Sequence, residues 1–284
     1  MIKKIFALFS VLGLLLAASP AWAVPNLVSA TVNPSGQIVN IPSTAVEVAD
    51  DVFSLGTAVD PQTGKVVEGY AIINPKRGYQ HRPGHSKGPG NGGSTCFAYL
   101  AKDAKWKTVE PWSVNFTNTR GLTENFVFNN LTSNILKWED ATDGNVGNSS
   151  GVDILGLGTT TSVTLVADTS APDGQNEVYF SDVSTSGAIA VTIVWGIFGG
   201  PPWARELVEW DQVYDDVDFN WSSTGEAGKM DFENIANHEL GHSVGMGHPD
   251  DSCTEETMYR FADFGETKKR DLNTGDIAGV DKLY

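Results

Sequence analysis

The chain has 284 residues, 40% hydrophobic and 10% aromatic, enough to build a large cored domain with a smaller segment beside it, which excludes disorder of the whole. Lys and Arg number 19 against 35 Asp and Glu, and the net charge of -16 repels phosphate backbones and anionic lipid, so neither nucleic acid nor a membrane surface is an expected partner. Two cysteines exclude a disulfide-dense scaffold.

Residues 1–23 begin with Lys3 and Lys4, continue through an apolar run from Ile5 to Ala18 and end on Ala21-Trp22-Ala23. This is the pattern of a secretory signal peptide, and the run falls short of the roughly 20 residues that cross a bilayer. A secreted, extracellular, monomeric protein with no stable membrane insertion after signal removal is expected. Residues 24–75 alternate short Val and Ile runs with turn signals such as Asn33-Pro34-Ser35-Gly36 and Asp60-Pro61-Gln62-Thr63-Gly64, which predicts a small strand-rich amino-terminal segment, a candidate propeptide. Residues 76–95 are rich in Gly, Pro and basic side chains and read as a flexible, protease-accessible linker. His81 and His85 lie within it, and Pro83 and Gly84 keep them off a common helix face.

From residue 96 to 284 the pattern is that of one α/β (α+β) domain. Strands are predicted at 112–117, 152–155, 162–167, 177–183, 188–198 and 208–221. Helices are predicted at 123–138, where Phe126, Val127, Leu131, Ile135 and Trp138 recur at helical spacing, at 231–244 and at 276–283.

The chemistry concentrates in His238-Glu239-Leu240-Gly241-His242-Ser243-Val244-Gly245-Met246-Gly247-His248, which holds three of the five histidines. On a helix His238 and His242 lie about 40° from eclipsed and reach one ion together. A catalytic zinc takes three protein ligands and keeps an open position. Gly245 and Gly247 are read as the break, through positive φ, that lets His248 return as the third ligand. Glu239 is not needed for the metal and is placed to act as general base toward zinc-bound water. Cys96 and Cys253 are the only pair available for a disulfide, which would close a loop worth about 5 kcal/mol of chain entropy.

This segment resembles the signature of the metzincin zinc endopeptidases, His-Glu-x-x-His-x-x-Gly-x-x-His followed by a methionine turn, and within them the matrixins and small matrixin-like proteases of bacteria and archaea. The resemblance implies a metzincin catalytic domain over 96–284, with a mixed, mostly parallel twisted sheet, an active-site helix and a carboxy-terminal helix. It also implies one catalytic Zn2+, Met258 as the turn methionine beneath it, and Ala188–Phe198 as the edge strand that pairs with an extended protein or peptide substrate. Calcium is implied at Asp215, Asp216 and Asp218, with Asp211 nearby, and Tyr259, Phe261 and Phe264 are candidates for the specificity-pocket wall. The Arg-Cys-Gly-x-Pro latency motif of the family, whose thiolate caps the zinc, is missing; by the resemblance a free Cys96 thiolate in that role is the alternative to the Cys96–Cys253 disulfide. Asn115, Asn130, Asn148 and Asn220 head glycosylation sequons that matter only in a glycosylating host. The expected function is that of a secreted zinc endopeptidase; the alternatives are an inactive zinc-stabilised adhesion module and a zinc hydrolase of a cell-wall amide.

Overall fold

The computed structural model describes residues 36–79 and 96–284. The expected signal peptide at 1–23, the start of the amino-terminal segment and the linker from 80 to 95 with His81 and His85 lie outside the described residues.

In chain order the strands are β1 (Ile38–Val39), β2 (Val46–Ala49), β3 (Val52–Val59), β4 (Val66–Pro75), β5 (Ala98–Tyr99), β6 (Trp112–Asn115), β7 (Gly158–Thr160), β8 (Asn176–Val183), β9 (Ala188–Ile197), β10 (Glu206–Asp215), β11 (Trp221–Ser222), β12 (Met230–Asp231) and β13 (Met246–Gly247). The helices are α1 (Glu124–Asp140), α2 (Phe232–Ser243) and α3 (Thr274–Leu283). The main sheet runs β2-β3-β4-β9-β10-β8-β6-β7, with β1 alongside β8. Its β10-β8-β6-β7 half is parallel, and β9 turns antiparallel against β10. The fold is therefore the expected mixed α/β one.

Local chemistry sets the helices. Thr123 caps α1 by accepting the Phe126 N–H, and Val127, Leu131, Ile135 and Trp138 of α1 are buried against the sheet. The Trp138 indole N–H donates to the Asn237 carbonyl at 2.9 Å and docks α1 on α2. Asn273 and Asp276 form a reciprocal capping box at the start of α3. One core fills the space between helices and sheet, and a second, containing Val67, Ile73, Tyr179, Val191, Trp195 and Val213, covers the other sheet face.

The described residues of the strand-rich segment expected at 24–75 form β1 to β4. Strands β2 to β4 extend the main sheet, with β4 antiparallel to β9 from Glu68↔Gly196 to Asn74↔Ala190. The reason lies in β9, where nine of ten residues are buried, so that an unpaired outer edge would leave buried N–H and C=O groups without partners. Of the expected linker, residues 76–79 are described.

Two predicted strands, 152–155 and 162–167, are irregular, because side chains capture their backbone N–H groups. Ile154 and Leu155 donate to Glu139 Oε1, both at 2.9 Å, while Val166 donates to Glu177 and Ala167 to the Tyr179 hydroxyl. The stretch 208–221 ends as a strand at Asp215, whose Oδ1 accepts the Val217 and Asp218 N–H groups and turns the chain.

Candidate active site

Helix α2 starts at Asp231, whose carboxylate accepts the Asn234 N–H at 3.0 Å and is held by Arg270 Nε and Nη2 at 2.8 and 2.6 Å. His238 and His242 project from one side of it, their ring centroids 4.8 Å apart. Gly245, at φ 101°, ends the helix with its N–H on the His242 carbonyl. Residues Met246 and Gly247 then pair with Tyr99 and Ala98, and the chain returns His248 to the other two histidines. Of the two glycines read as the break, only Gly245 takes a positive φ. Gly247 is required for another reason, since a Cβ there would sit 3.0 Å from the Tyr99 backbone.

The three Nε2 atoms lie 3.1 to 3.3 Å from one another. His238 Nδ1 is 2.7 Å from the Thr257 carbonyl and His242 Nδ1 is 2.9 Å from the Met246 carbonyl. A carbonyl only accepts, so both Nδ1 atoms carry hydrogen and both Nε2 atoms present lone pairs inward. Burial depresses all three imidazoles, His242 to about 4 and His238 and His248 well below the ordinary value, which keeps them neutral. Lone pairs converging at this distance repel unless a cation sits among them, so the donor set fits a zinc ion.

Glu239 is fully buried beside the cluster. The Thr192 hydroxyl of β9 donates to its Oε2 at 2.6 Å, and the Asn74 amide approaches the carboxyl from β4. Burial pushes this carboxyl up to about 7, against the opposing influence of Thr192, the Asn74 amide and the Lys269 charge. Met258 is buried below α2, so close that a Cβ on Gly241 would lie 2.1 Å from its sulfur and 2.7 Å from the Trp138 ring. Asp276 secures the turn by accepting the Thr257 and Met258 N–H groups at 2.7 and 3.1 Å. The turn in turn presents the Thr257 carbonyl that orients His238.

Four residues around the site escaped the sequence reading: Thr192, Asn74, Asp276 and Lys269. Lys269 is wholly buried, with its ammonium nitrogen on the Tyr259 carbonyl and 3.5 Å from His238 Nδ1, and burial lowers it to about 7. In sequence nothing separates it from Lys268 and Arg270. Of the pocket-wall candidates, Tyr259 and Phe261 are buried with rings 5.7 Å apart, whereas Phe264 lies against Phe219 and the Lys76 ammonium. Cys96 and Cys253 are joined, with Cα atoms 5.5 Å apart, so Cys96 has no thiolate to offer the histidines.

The calcium candidates are not brought together as a donor set. Asp215 is spent on turn N–H groups, Asp216 accepts the Thr119 N–H and lies 3.7 Å from Arg120 Nε, and Asp218 is exposed. Carboxylates do converge elsewhere: Asp168, Asp173 and Glu209 offer oxygens within 4.8 Å of one another, with Asp211 and Glu177 adjacent and no Lys or Arg bridged to any of them among the described residues. Burial, then the neighbouring Asp168 charge, raises the Glu209 carboxyl. A carboxyl that stays protonated in the fold but ionises in the unfolded chain contributes stability at low pH, and that contribution is lost as pH climbs from about 4.3, the ordinary carboxyl range. In chelator, Glu209→Gln should therefore gain thermal stability over the parent as pH rises from 5 toward 9. Parallel melting curves across that range would refute the assignment.

Residues 202–284 match the matrixin peptidase family. Rat matrilysin is 39% identical over 69 residues, covering 24% of this chain and 25% of that protein, and human matrilysin matches to the same extent. Metalloendoproteinase 2-MMP of Arabidopsis thaliana is 36% identical over 76 residues, 24% of this chain and 19% of that protein. The chain thus spans about a quarter or less of the length of these curated relatives. No helix among the described residues is long and apolar enough to cross a membrane.

Proposed function

From a chain that is matrixin-like over residues 202–284, we propose a secreted zinc-dependent endopeptidase acting on extended protein or peptide substrates. The observation that carries this reading is the convergence of the Nε2 atoms of three buried imidazoles, 3.1 to 3.3 Å apart, beside the buried Glu239 carboxyl.

His238, His242 and His248 would hold the ion, fixed by the Thr257 and Met246 carbonyls behind two of them. When bound, zinc supplies Lewis acidity that polarises a carbonyl and acidifies water. Glu239, held by Thr192 through Oε2, takes a proton from the attacking water at Oε1 and returns it to the leaving amine. Met258 and Asp276 position the histidines from below. An inert adhesion module has no use for that carboxylate and would favour a fourth protein ligand. For calcium, the donor set on offer is Asp168, Asp173 and Glu209.

The test is zinc content together with hydrolysis of an unfolded protein and of cell-wall polymer, by the purified chain both intact and nicked between Tyr79 and Cys96. About one zinc per chain and chelator-sensitive proteolysis are expected, with zinc lost in His242→Ala. Undiminished zinc in His242→Ala would overturn the ligand set, and cleavage of cell-wall amides alone would move the substrate class.

A further inference from the structure

The third histidine is held differently from the first two. Behind His238 and His242 stand the Thr257 and Met246 carbonyls, and both residues belong to α2. His248 lies beyond the helix, and among the described residues of 96–284 no acceptor stands behind its Nδ1, which the Asp50 backbone approaches from the β2–β3 turn. Its place depends on its own main chain. From His248 to Glu256 that chain forms neither helix nor strand, and Asp250, Asp251, Ser252, Thr254 and Glu255 are exposed, so burial anchors little of it.

A small ring fixes the segment instead. On one side Gly247 of β13 pairs with Ala98 of β5. On the other, Cys253 is bonded to Cys96, two positions before Ala98. His248 sits one position past the pair and five before the bond, caught between a strand register and a covalent link. The Cys96 end is a rigid post: the Tyr99 hydroxyl donates to the Gly279 carbonyl of α3 at 3.0 Å, and a Cβ on Gly275 would lie 2.2 Å from the Cys96 carbonyl oxygen. The next fixed point after Cys253 is Glu256, whose carboxylate accepts the Gly275 and Asp276 N–H groups at 2.9 and 3.2 Å. With the disulfide open, everything from His248 to Glu256 becomes a loose span, and the third ligand rides on its first residue.

We infer that the Cys96–Cys253 disulfide positions the third metal ligand, so that the chain holds zinc tightly only in its oxidised form. The geometry rests on the ring alone; the consequence, that hydrolysis follows the redox state of the surroundings, rests on the peptidase reading. The exchange balances: a dithiol reductant passes two hydrogens to the two sulfurs, leaving Cys96 and Cys253 as thiols and the reductant as a cyclic disulfide, and a small-molecule disulfide drives it back. Inside a reducing cytoplasm the chain would hold zinc weakly, and oxidation outside would complete the site.

The test is the zinc affinity of the full chain, read by competition with a chromogenic chelator, with hydrolysis and tryptophan fluorescence of the fold read alongside. A Cys96→Ser, Cys253→Ser double variant is measured beside the dithiol-reduced parent, because serine leaves no thiol to ligate the ion. In both, Kd for zinc should be about 10–100-fold weaker than in the oxidised parent, the range in which groups that orient metal ligands act, and reoxidation of the parent should restore it. A mutant cycle isolates His248. His248→Ala should cost the oxidised parent about tenfold more affinity than it costs the double-serine chain, while His242→Ala removes tight binding from both. Equal losses from His248→Ala in the two backgrounds, or zinc affinity indifferent to the disulfide, would overturn the inference. So would unfolding of both disulfide-free forms, since the bond would then serve the whole fold rather than the ligand. Zinc affinity that follows the disulfide, without hydrolysis in any form, would keep the inference and sink the peptidase.

Discussion

Glu239→Ala is expected to cut hydrolysis of an unfolded protein by about 10²–10⁴-fold, the usual contribution of a positioned general base, while zinc content stays at the parental level. The separation of the two readouts follows from the geometry. The histidines owe their orientation to the Thr257 and Met246 carbonyls and to the main chain of α2, and none of those contacts passes through the Glu239 side chain. What the substitution removes is the carboxylate that Thr192 fixes from β9. The orphaned Thr192 hydroxyl costs about 1–3 kcal/mol in stability, a change that a melting curve would register apart from turnover. Undiminished turnover would remove Glu239 from the mechanism.

Gly241→Ala is expected to destabilise the fold by about 3 kcal/mol, the upper end of ordinary overpacking, and to lower Tm by about 6–12 °C for a domain of this size. Alanine is the better helix former, so helix propensity alone predicts a gain of about 1 kcal/mol. Packing decides the sign. The added methyl would meet the Met258 sulfur at 2.1 Å and the Trp138 ring at 2.7 Å, and both are confined: Met258 is fully buried on a turn whose backbone Asp276 holds, and Trp138 is fully buried and bonded to Asn237. Relief would come from pushing the methionine turn down, which draws the Thr257 carbonyl away from His238. Zinc affinity should fall along with Tm, and a stabilised, zinc-replete Gly241→Ala protein would refute the packing account.

Much of this centre could be read from the sequence, because its information is local. The four-residue spacing of His238 and His242 fixes a common helix face, the glycine at 245 supplies the turn, and capping residues Thr123, Asp231 and Asn273 mark helix starts to within a residue or two. What stayed hidden is non-local. No pattern within residues 66–75 states that their partner is β9, more than a hundred residues away, and the same Val and Ile alternation suits any half-buried strand. Residues 152–155 and 162–167 look like strands by composition, yet Glu139, Glu177 and Tyr179 claim their N–H groups from other elements. Lys269 and Asn74 are polar residues that the fold, not their neighbours in sequence, buries.

The position of the disulfide has a consequence for the amino-terminal strands. Cys96 and Cys253 are the chain's only cysteines, and both lie on the carboxy-terminal side of residue 79. A cut between Tyr79 and Cys96 would therefore leave no covalent bond between β2 to β4 and the rest of the sheet. The two pieces would part on a non-reducing denaturing gel, while in native solution the pairing of β4 with β9 alone would hold them together, at a strength that dilution reads directly.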